Sequence, residues 1–112
     1  MATAMNDKAI RKYLPLTETT YFTLLALSEP LHGYGVMQKV EALSEGTVSI
    51  GPGTMYGAFT NLEKAGLIRA AGQEERRKYY ALTPLGKQVL REQVARLEIM
   101  SRVGLEVLPR LA

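Results

Sequence analysis

The sequence predicts a mainly α-helical fold with one small β-hairpin, arranged as a winged helix-turn-helix that is followed by one long helix. Apolar side chains recur at helical spacing in three successive segments. Two short runs of strand-forming residues come next, separated by a polar turn that contains Gly72. The pair Thr83–Pro84 then opens a further helical segment. We therefore divide the 112 residues into an N-terminal arm or short helix (1–16), a winged helix-turn-helix (17–82) and a C-terminal helix (83–112).

The composition is that of an ordinary globular domain, with 46% apolar and 22% charged residues and a net charge of +3. This mild positive charge permits binding to nucleic acid without requiring it. Because the chain has no cysteine and a single histidine, His32, the sequence excludes disulfides, thiolate or multi-histidine metal sites and cysteine nucleophiles. No phosphate-binding glycine loop and no convincing carboxylate pair are present, so neither an enzyme nor a cofactor is predicted.

The N-terminal residues are polar and do not form a signal-peptide pattern, since Asn6, Asp7, Lys8, Arg11 and Lys12 interrupt any apolar run. No apolar segment elsewhere approaches the ~20 residues of a membrane-spanning helix. We expect no membrane partner and a cytoplasmic location.

Local signals predict the first helices. A short helix is expected from Asn6 to Tyr13, and Pro15 ends it. Thr17 can cap the next helix, which Pro30 ends. The expected buried residues of that helix are Phe22, Leu24 and Leu25.

The second helix of the winged helix-turn-helix is predicted from Tyr34 to Leu43, after a tight connector with the sequence LHGYG. Its expected buried residues are Met37, Val40 and Leu43. Gly46 is expected to end it. The β-branched run TVSI, residues 47–50, then predicts a short strand.

The most informative segment runs from Pro52 to Ile68, PGTMYGAFTNLEKAGLI. Met55, Phe59 and Leu62 form one buried stripe of a helix, and Gly66 is expected in the position that ends it. The side chains off this stripe are short and polar, apart from one tyrosine and one lysine: Thr54, Tyr56, Gly57, Thr60, Asn61 and Lys64. Such a face can approach another surface closely and bond to it, which a recognition helix in the major groove of DNA requires. An ordinary solvated helix face is the alternative.

The next segment predicts a β-hairpin. Residues 67–71 and 78–82 are the expected strands, and GQEERR, residues 72–77, is the expected turn. Strand alternation turns one of Tyr79 and Tyr80 toward the core.

The expected hairpin tip is basic, which suits contact with DNA phosphates. A merely solvated turn is the alternative, and the neighbouring Glu74 and Glu75 weaken the positive field. At least one of three cations is expected to reach the phosphate backbone: Arg76, Arg77 and Lys78.

The last helix is predicted to begin at Pro84, with Thr83 as its cap, and to run to about Leu108. One of its sides carries Leu90, Val94, Leu97, Met100, Leu105 and Leu108. A second apolar strip carries Ala95, Ile99 and Val103. A helix that is apolar on two sides must be covered on two sides, so a second copy of the chain is expected on one of them. The alternative use of these residues is an effector pocket between paired helices.

The chain resembles PadR-type transcriptional regulators of the short kind with a single C-terminal helix. The resemblance rests on LHGYGVMQKV, PGTMYGAFTNLEKAGLI and RRKYYALTPLGKQVL, in that order, and spans about Leu24 to Leu90. It implies a winged-helix dimer, usually a repressor, that a small molecule releases from DNA. Gly51 stands where many members have serine, and Asn61 where a basic residue is common.

By this resemblance, the groove-reading positions are Thr54, Tyr56 and Gly57, the basic wing is Arg76, Arg77 and Lys78, and the HGY element is His32, Gly33 and Tyr34. From the residues alone, His32 is more often a structural residue than a DNA or ligand contact. For Tyr34, packing or hydrogen bonding at the start of the helix is the expected role, and a phosphate contact is the alternative.

The sequence thus predicts a homodimeric, sequence-specific DNA-binding regulator, a repressor released by a small apolar or aromatic effector, on a palindromic double-stranded operator. The candidate DNA contacts are Tyr34, Thr54, Tyr56, Gly57, Asn61, Lys64, Arg76, Arg77 and Lys78. The candidate dimer contacts are Leu90, Val94, Leu97, Ile99, Met100 and Val103. The alternative function is a protein-interaction adaptor that keeps the winged-helix body without reading DNA.

Overall fold

The structure, a computed structural model, describes residues 8–111. Residues 8–11 are helical, and the elements that follow are α1 (Glu18–Ala26), β1 (Leu31–His32), α2 (Gly33–Leu43), α3 (Pro52–Lys64), β2 (Ile68–Glu74), β3 (Arg77–Leu82), α4 (Pro84–Val107) and a short 3-10 helix (Leu108–Arg110). The predicted fold class, mainly helical with a small β-hairpin, is confirmed. The first two residues of the short helix expected from Asn6 to Tyr13 lie outside the described part of the chain.

One apolar core holds these elements together. The apolar faces of α1, α2 and α3 meet the inner side of the sheet and the start of α4, and the most deeply buried side chains include Leu24, Val40, Met55, Phe59 and Val89. Burying side chains of this kind contributes about 1.5–3 kcal/mol each, which makes this cluster the main source of stability. The stripe of Met55, Phe59 and Leu62 predicted for α3 is confirmed.

The helices begin where their cap residues predict. The side chain of Thr17 accepts a hydrogen bond from the Thr20 amide at 3.1 Å at the start of α1. The Thr83 hydroxyl oxygen accepts one from the Gly86 amide at 3.0 Å at the start of α4. At the end of α3, Gly66 adopts a φ of +80°, the left-handed conformation that ends helices.

The short strand lies in a different place from the one predicted. Residues Leu31 and His32, expected as a connector, form β1 and pair with β3 opposite Tyr80 and Tyr79, so that the sheet has the order β1-β3-β2. Residues 47–50 are not a strand. Their backbone is held by the buried Ser44 hydroxyl, which accepts from the Val48 amide at 3.0 Å and donates to the Val48 carbonyl at 3.1 Å. The prediction failed because the Ser44 side chain, and not a neighbouring strand, bonds both backbone groups of Val48.

The hairpin is longer and its turn is tighter than predicted. The turn consists of Glu75 and Arg76 alone, with φ angles of +49° and +71°. Positive φ at both central residues is the geometry that matches the twist of a two-residue hairpin. Gly72, with a φ of +115°, lies instead at an irregularity within β2. Arg77 and Lys78 therefore belong to β3 and are not turn residues.

The buried face of α2 also differs from the predicted one. Gly33, Val36 and Val40 are buried, Met37 is half-buried, and Leu43 is 44% exposed. The helix begins at Gly33, and the stripe that starts there passes through Val36 and Val40 and leaves Leu43 outside. In α1, likewise, Thr23 is buried while Phe22 and Leu25 are only half-buried, and the helix ends at Ala26, ahead of Pro30.

Only the first part of α4 packs against the rest of the chain. Gly86, Val89, Leu90 and Gln93 are its buried residues. A Cβ atom on Gly86 would collide with the carbonyl oxygen of Leu67, so glycine lets α4 start directly against the connection between α3 and β2. Leu90, predicted as a dimer contact, is 8% exposed and belongs to the core of its own chain, so it cannot face a second copy.

The segment before α1 is tied to the body at three points. Ile10 is buried in the core. The Tyr13 hydroxyl donates to the Ala65 carbonyl at 3.1 Å, and the Leu16 amide donates to Oε1 of the buried Gln93 at 2.9 Å. The second of these bonds connects the start of α1 to the middle of α4.

Candidate nucleic-acid interface

The candidate DNA-binding residues lie mostly at one end of the molecule, where the start of α2, the helix α3 and the hairpin β2–β3 meet. The hairpin is called the wing from here on. These three elements enclose a surface cavity of about 260 Å³, called the wing notch. Its lining residues are His32, Gly33, Tyr34, Tyr56, Arg76, Arg77, Lys78 and Tyr80. The structure therefore brings together five of the nine predicted DNA contacts: Tyr34, Tyr56, Arg76, Arg77 and Lys78.

Close packing of α2 on α3 builds the wing notch. A Cβ atom on Gly33 would lie within 3.3 Å of the Tyr56 hydroxyl oxygen and even closer to the end of Met55. Glycine at this position therefore lets the Tyr56 side chain lie across the start of α2. Below it, the rings of Phe59 and Tyr80 are 4.7 Å apart and fix the base of the wing against α3. Of the two neighbouring tyrosines of β3, Tyr80 is thus the one that packs on the core.

The outer face of α3 consists of Gly53, Thr54, Gly57, Thr60, Asn61 and Lys64, all of them exposed. Gly57 lies near the middle of this face and Gly53 in the first turn of the helix, and a Cβ atom on either would meet nothing within 4 Å. A glycine inside a helix costs roughly 0.5–1 kcal/mol relative to alanine. No contact within the described residues requires these two glycines, so their presence leaves this part of the face without side-chain bulk.

The predicted contacts on α3 lie on opposite sides of this outer face. Tyr56, 58% exposed, borders the side that faces the wing. Asn61 borders the opposite side, where it lines a separate groove of about 310 Å³ with Tyr13 and Thr20. Lys64 lies at the end of the helix. Asn61 and Lys64 are therefore not part of the wing notch, although both remain exposed.

The wing carries its positive charge outward. Arg76, Arg77 and Lys78 are all exposed, and the Lys78 ammonium lies 5.3 Å from the centre of the Tyr80 ring, on the same side of the strand. Within residues 8–111, the ion pairs join Lys39 to Glu29 and Arg102 to Glu106, so neither of them involves the wing. Glu74 and Glu75 neighbour the cations in sequence without lining the notch.

His32 has the structural role that the sequence favoured, and the structure shows that this role is to cap a helix. Its ring nitrogen Nδ1 accepts a hydrogen bond from the Gly35 amide at 3.2 Å and so caps the N-terminus of α2. The ring also meets the Tyr79 ring edge-on, with centroids 5.5 Å apart. Histidine is not among the usual cap residues, so no common sequence rule identifies this cap.

Helices α1, α2 and α3 followed by a two-stranded wing define a winged-helix protein of the DNA-binding type, and the exposed face of α3 lies where such proteins carry their recognition helix. The model of the PadR-like transcriptional regulator family matches residues 22–92, and the chain belongs to this family. Members of this family are transcriptional regulators, not enzymes.

Individual relatives agree with this assignment. A PadR family transcriptional regulator from Eggerthella lenta is 26% identical with a TM-score of 0.65, and the match covers 96% of this chain and 91% of that one. A transcriptional regulator from Clostridium thermocellum is 28% identical with a TM-score of 0.64, over 88% and 96% of the two chains. An uncharacterized protein in transposon TN4556 of Streptomyces fradiae is 35% identical over 88 residues. That match covers 77% of this chain but only 25% of the transposon protein.

Among the helices of residues 8–111, none combines the length and the apolar character that crossing a bilayer requires.

Proposed function

We propose that this regulator is a homodimeric repressor that reads a palindromic operator with α3 and holds the flanking phosphates with its wing. The observation that carries the proposal is the outer face of α3, which is smoothed by Gly53 and Gly57 and lies beside the basic wing notch. A helix with glycines along its exposed face, one in its first turn and one near its middle, can sit deeply in the major groove. Because the proposed operator is chromosomal DNA, the proposal includes a cytoplasmic location.

The start of α3 supports a phosphate contact of its own. Its N-cap is Gly51, which makes no side-chain hydrogen bond, so the first amides of the helix have no capping side chain. Amides at a helix N-terminus bind anions well, because they point outward and carry the positive end of the helix dipole. Where a serine would occupy one of these amides itself, Gly51 leaves them for a ligand.

The exposed half of α4 supports the dimer. This half of α4 and the first residue of the 3-10 helix carry large apolar side chains that residues 8–111 leave exposed: Val94, Ile99, Met100, Val103, Leu105, Val107 and Leu108. Half-buried Leu97 borders them. A second copy related by a two-fold axis would cover these residues and present two α3 helices to two half-sites. Half-sites read in this way are about 34–36 Å apart, one turn of the duplex.

A cavity at the base of this surface supports the effector part of the proposal. It measures about 410 Å³, lies between residues 15–21 and the middle of α4, and has a mainly apolar lining that includes Leu16, Tyr21, Leu97 and Met100. Its size suits a small aromatic molecule. A ligand there would contact both α1 and the dimer helix, so it could alter the spacing of the two α3 helices.

The direct test is a mobility-shift titration with duplex DNA from the region upstream of the chain's own gene. The expected result is a complex with one palindromic segment that survives competition by unrelated duplex and weakens steeply with salt. Absence of any salt-sensitive complex would overturn the proposal. It would favour an adaptor function, for which the acidic pair Glu74 and Glu75 in the wing provides the motivating observation.

A further inference from the structure

The lining of the wing notch contains positively charged and hydrogen-bonding residues but no acidic residue. Its members are three tyrosines (Tyr34, Tyr56 and Tyr80), three cationic residues (Arg76, Arg77 and Lys78), His32 and Gly33. Groups of this kind bind an anion. At about 260 Å³, the notch is smaller than the roughly 300–1,000 Å³ typical of sites for drug-sized ligands. A single phosphodiester group fits these limits.

The cap bond determines which nitrogen of His32 can act on that anion. Nδ1 accepts the Gly35 amide hydrogen, so it carries no proton of its own. In a neutral imidazole the other nitrogen then carries the proton, and Nε2–H is the donor. The edge contact with Tyr79 further restricts the rotation of the ring. The histidine is therefore held in one tautomer and one orientation before any ligand arrives.

We propose, building on the proposed function, that His32 donates its Nε2–H to one backbone phosphate of the duplex seated in the wing notch, and that the cap bond from Gly35 fixes the tautomer that makes this possible. His32 thus joins the beginning of α2 to the same phosphate that the wing cations attract. Such a contact fixes the position of the protein on the duplex and is independent of base sequence.

Nitrogen NMR can observe this contact directly, because His32 is the only histidine of the chain. In untagged protein with ¹⁵N-histidine, the side-chain spectrum of the free state should report one imidazole protonated at Nε2. Adding a short mixed-sequence duplex at low salt, where phosphate contacts dominate binding, should shift the Nε2–H signal and slow its exchange with water. An unchanged Nε2–H signal at saturating duplex would overturn the inference.

The same titration separates this inference from the proposed function. If the labelled protein binds the duplex with a steep salt dependence while the Nε2–H signal stays unchanged, only the role of His32 fails. If the chain binds no duplex at all, the proposed function fails together with the inference.

Two substitutions test the contact by affinity. His32→Asn keeps an oxygen that can cap α2 but lacks a second ring donor, so it should retain the thermal stability of the natural chain. Its affinity for any duplex should fall about tenfold, the size of one hydrogen bond to a charged group. His32→Ala should lose both the affinity and part of the stability. An unchanged affinity in a folded His32→Asn protein would show that the histidine serves only as a cap.

Discussion

The two exposed helical surfaces of this molecule, the outer face of α3 and the distal half of α4, are opposite in character. The face of α3 is small and polar, with Gly53 in its first turn and Gly57 near its middle. The surface of α4 is large and apolar, with Ile99 at 55% and Met100 at 66% exposure. Both are unfavourable in a free monomer, one through glycine in a helix and the other through apolar area in water. The comparison teaches that the two surfaces differ in chemistry, and under the proposed function each meets a different partner: α3 a DNA duplex, and α4 the same helix of a second copy.

The largest expected effect comes from placing a charge on the α4 surface. Ile99→Glu should convert the dimer to a monomer, since a carboxylate in an apolar interface lacks a partner. The palindrome affinity should fall by roughly 10²–10⁴-fold, because the second half-site no longer adds to the first. Analytical ultracentrifugation and fluorescence anisotropy would measure the two quantities. Gln88→Glu, which adds the same charge to the part of α4 that packs against its own chain, is the control that should leave the dimer intact.

A bulky side chain at the centre of the α3 face should have opposite effects on stability and binding. Gly57→Leu should raise the free energy of unfolding by up to about 1 kcal/mol, since leucine favours helix and meets nothing in the free protein. Specific DNA affinity should fall about 100-fold, because the leucine side chain would hold the helix away from the groove and break contacts worth roughly 1–3 kcal/mol each. Chemical denaturation would measure the stability and a mobility shift the DNA affinity. Gly57→Ala should give an intermediate loss of affinity. Equal affinity for the leucine variant would show that this face does not enter the groove.

Removing Tyr56 sharpens the role of the side of α3 that faces the wing. Because the ring is 58% exposed, Tyr56→Ala should leave the fold intact. Specific binding should weaken by about 1–3 kcal/mol if the tyrosine touches a base. Tyr56→Phe removes only the hydroxyl, so it distinguishes the contribution of the hydroxyl to binding from that of the ring. Fluorescence anisotropy with the operator and with an unrelated duplex decides the nature of the contact: a loss that is equal for both duplexes indicates phosphate, and no loss for either would contradict a role in binding.

The smallest effect is expected from a single wing cation. Arg77→Ala should weaken binding to all duplexes alike and lower the slope of log affinity against log salt by about 1. Arg91, an exposed arginine of α4 that donates to Gln88, provides the charge-matched control. Equal slopes for Arg77→Ala and Arg91→Ala would indicate that the wing charge acts only through the overall field of the protein.

The sequence predicts well what depends on neighbouring residues. The caps Thr17 and Thr83, the stripe of α3 and the stop at Gly66 follow from local rules, and the structure confirms them. The strand β1 is two residues long and exists only because β3 lies beside it, so local propensity could not identify it.

The candidate site was predictable in part. Its tyrosines and cations stand out in the sequence, but the wing notch arises from three separate elements that only the fold brings together. The helical wheel of α4 likewise places Leu90 and Val94 on one side. Only the folded chain shows that Leu90 is covered by its own core and that Val94 is 39% exposed.

One distance measurement tests the two-surface comparison most directly. The chain has no cysteine, so Glu63→Cys, an exposed position near the end of α3, accepts a single spin label per protomer. In the dimer bound to its palindrome, electron–electron double resonance should give one narrow distance distribution, centred close to the roughly 34–36 Å half-site spacing. The distribution should be broader without DNA. Absence of dipolar coupling, or a distribution that DNA leaves unchanged, would contradict the assignment of α4 to the dimer and α3 to the duplex.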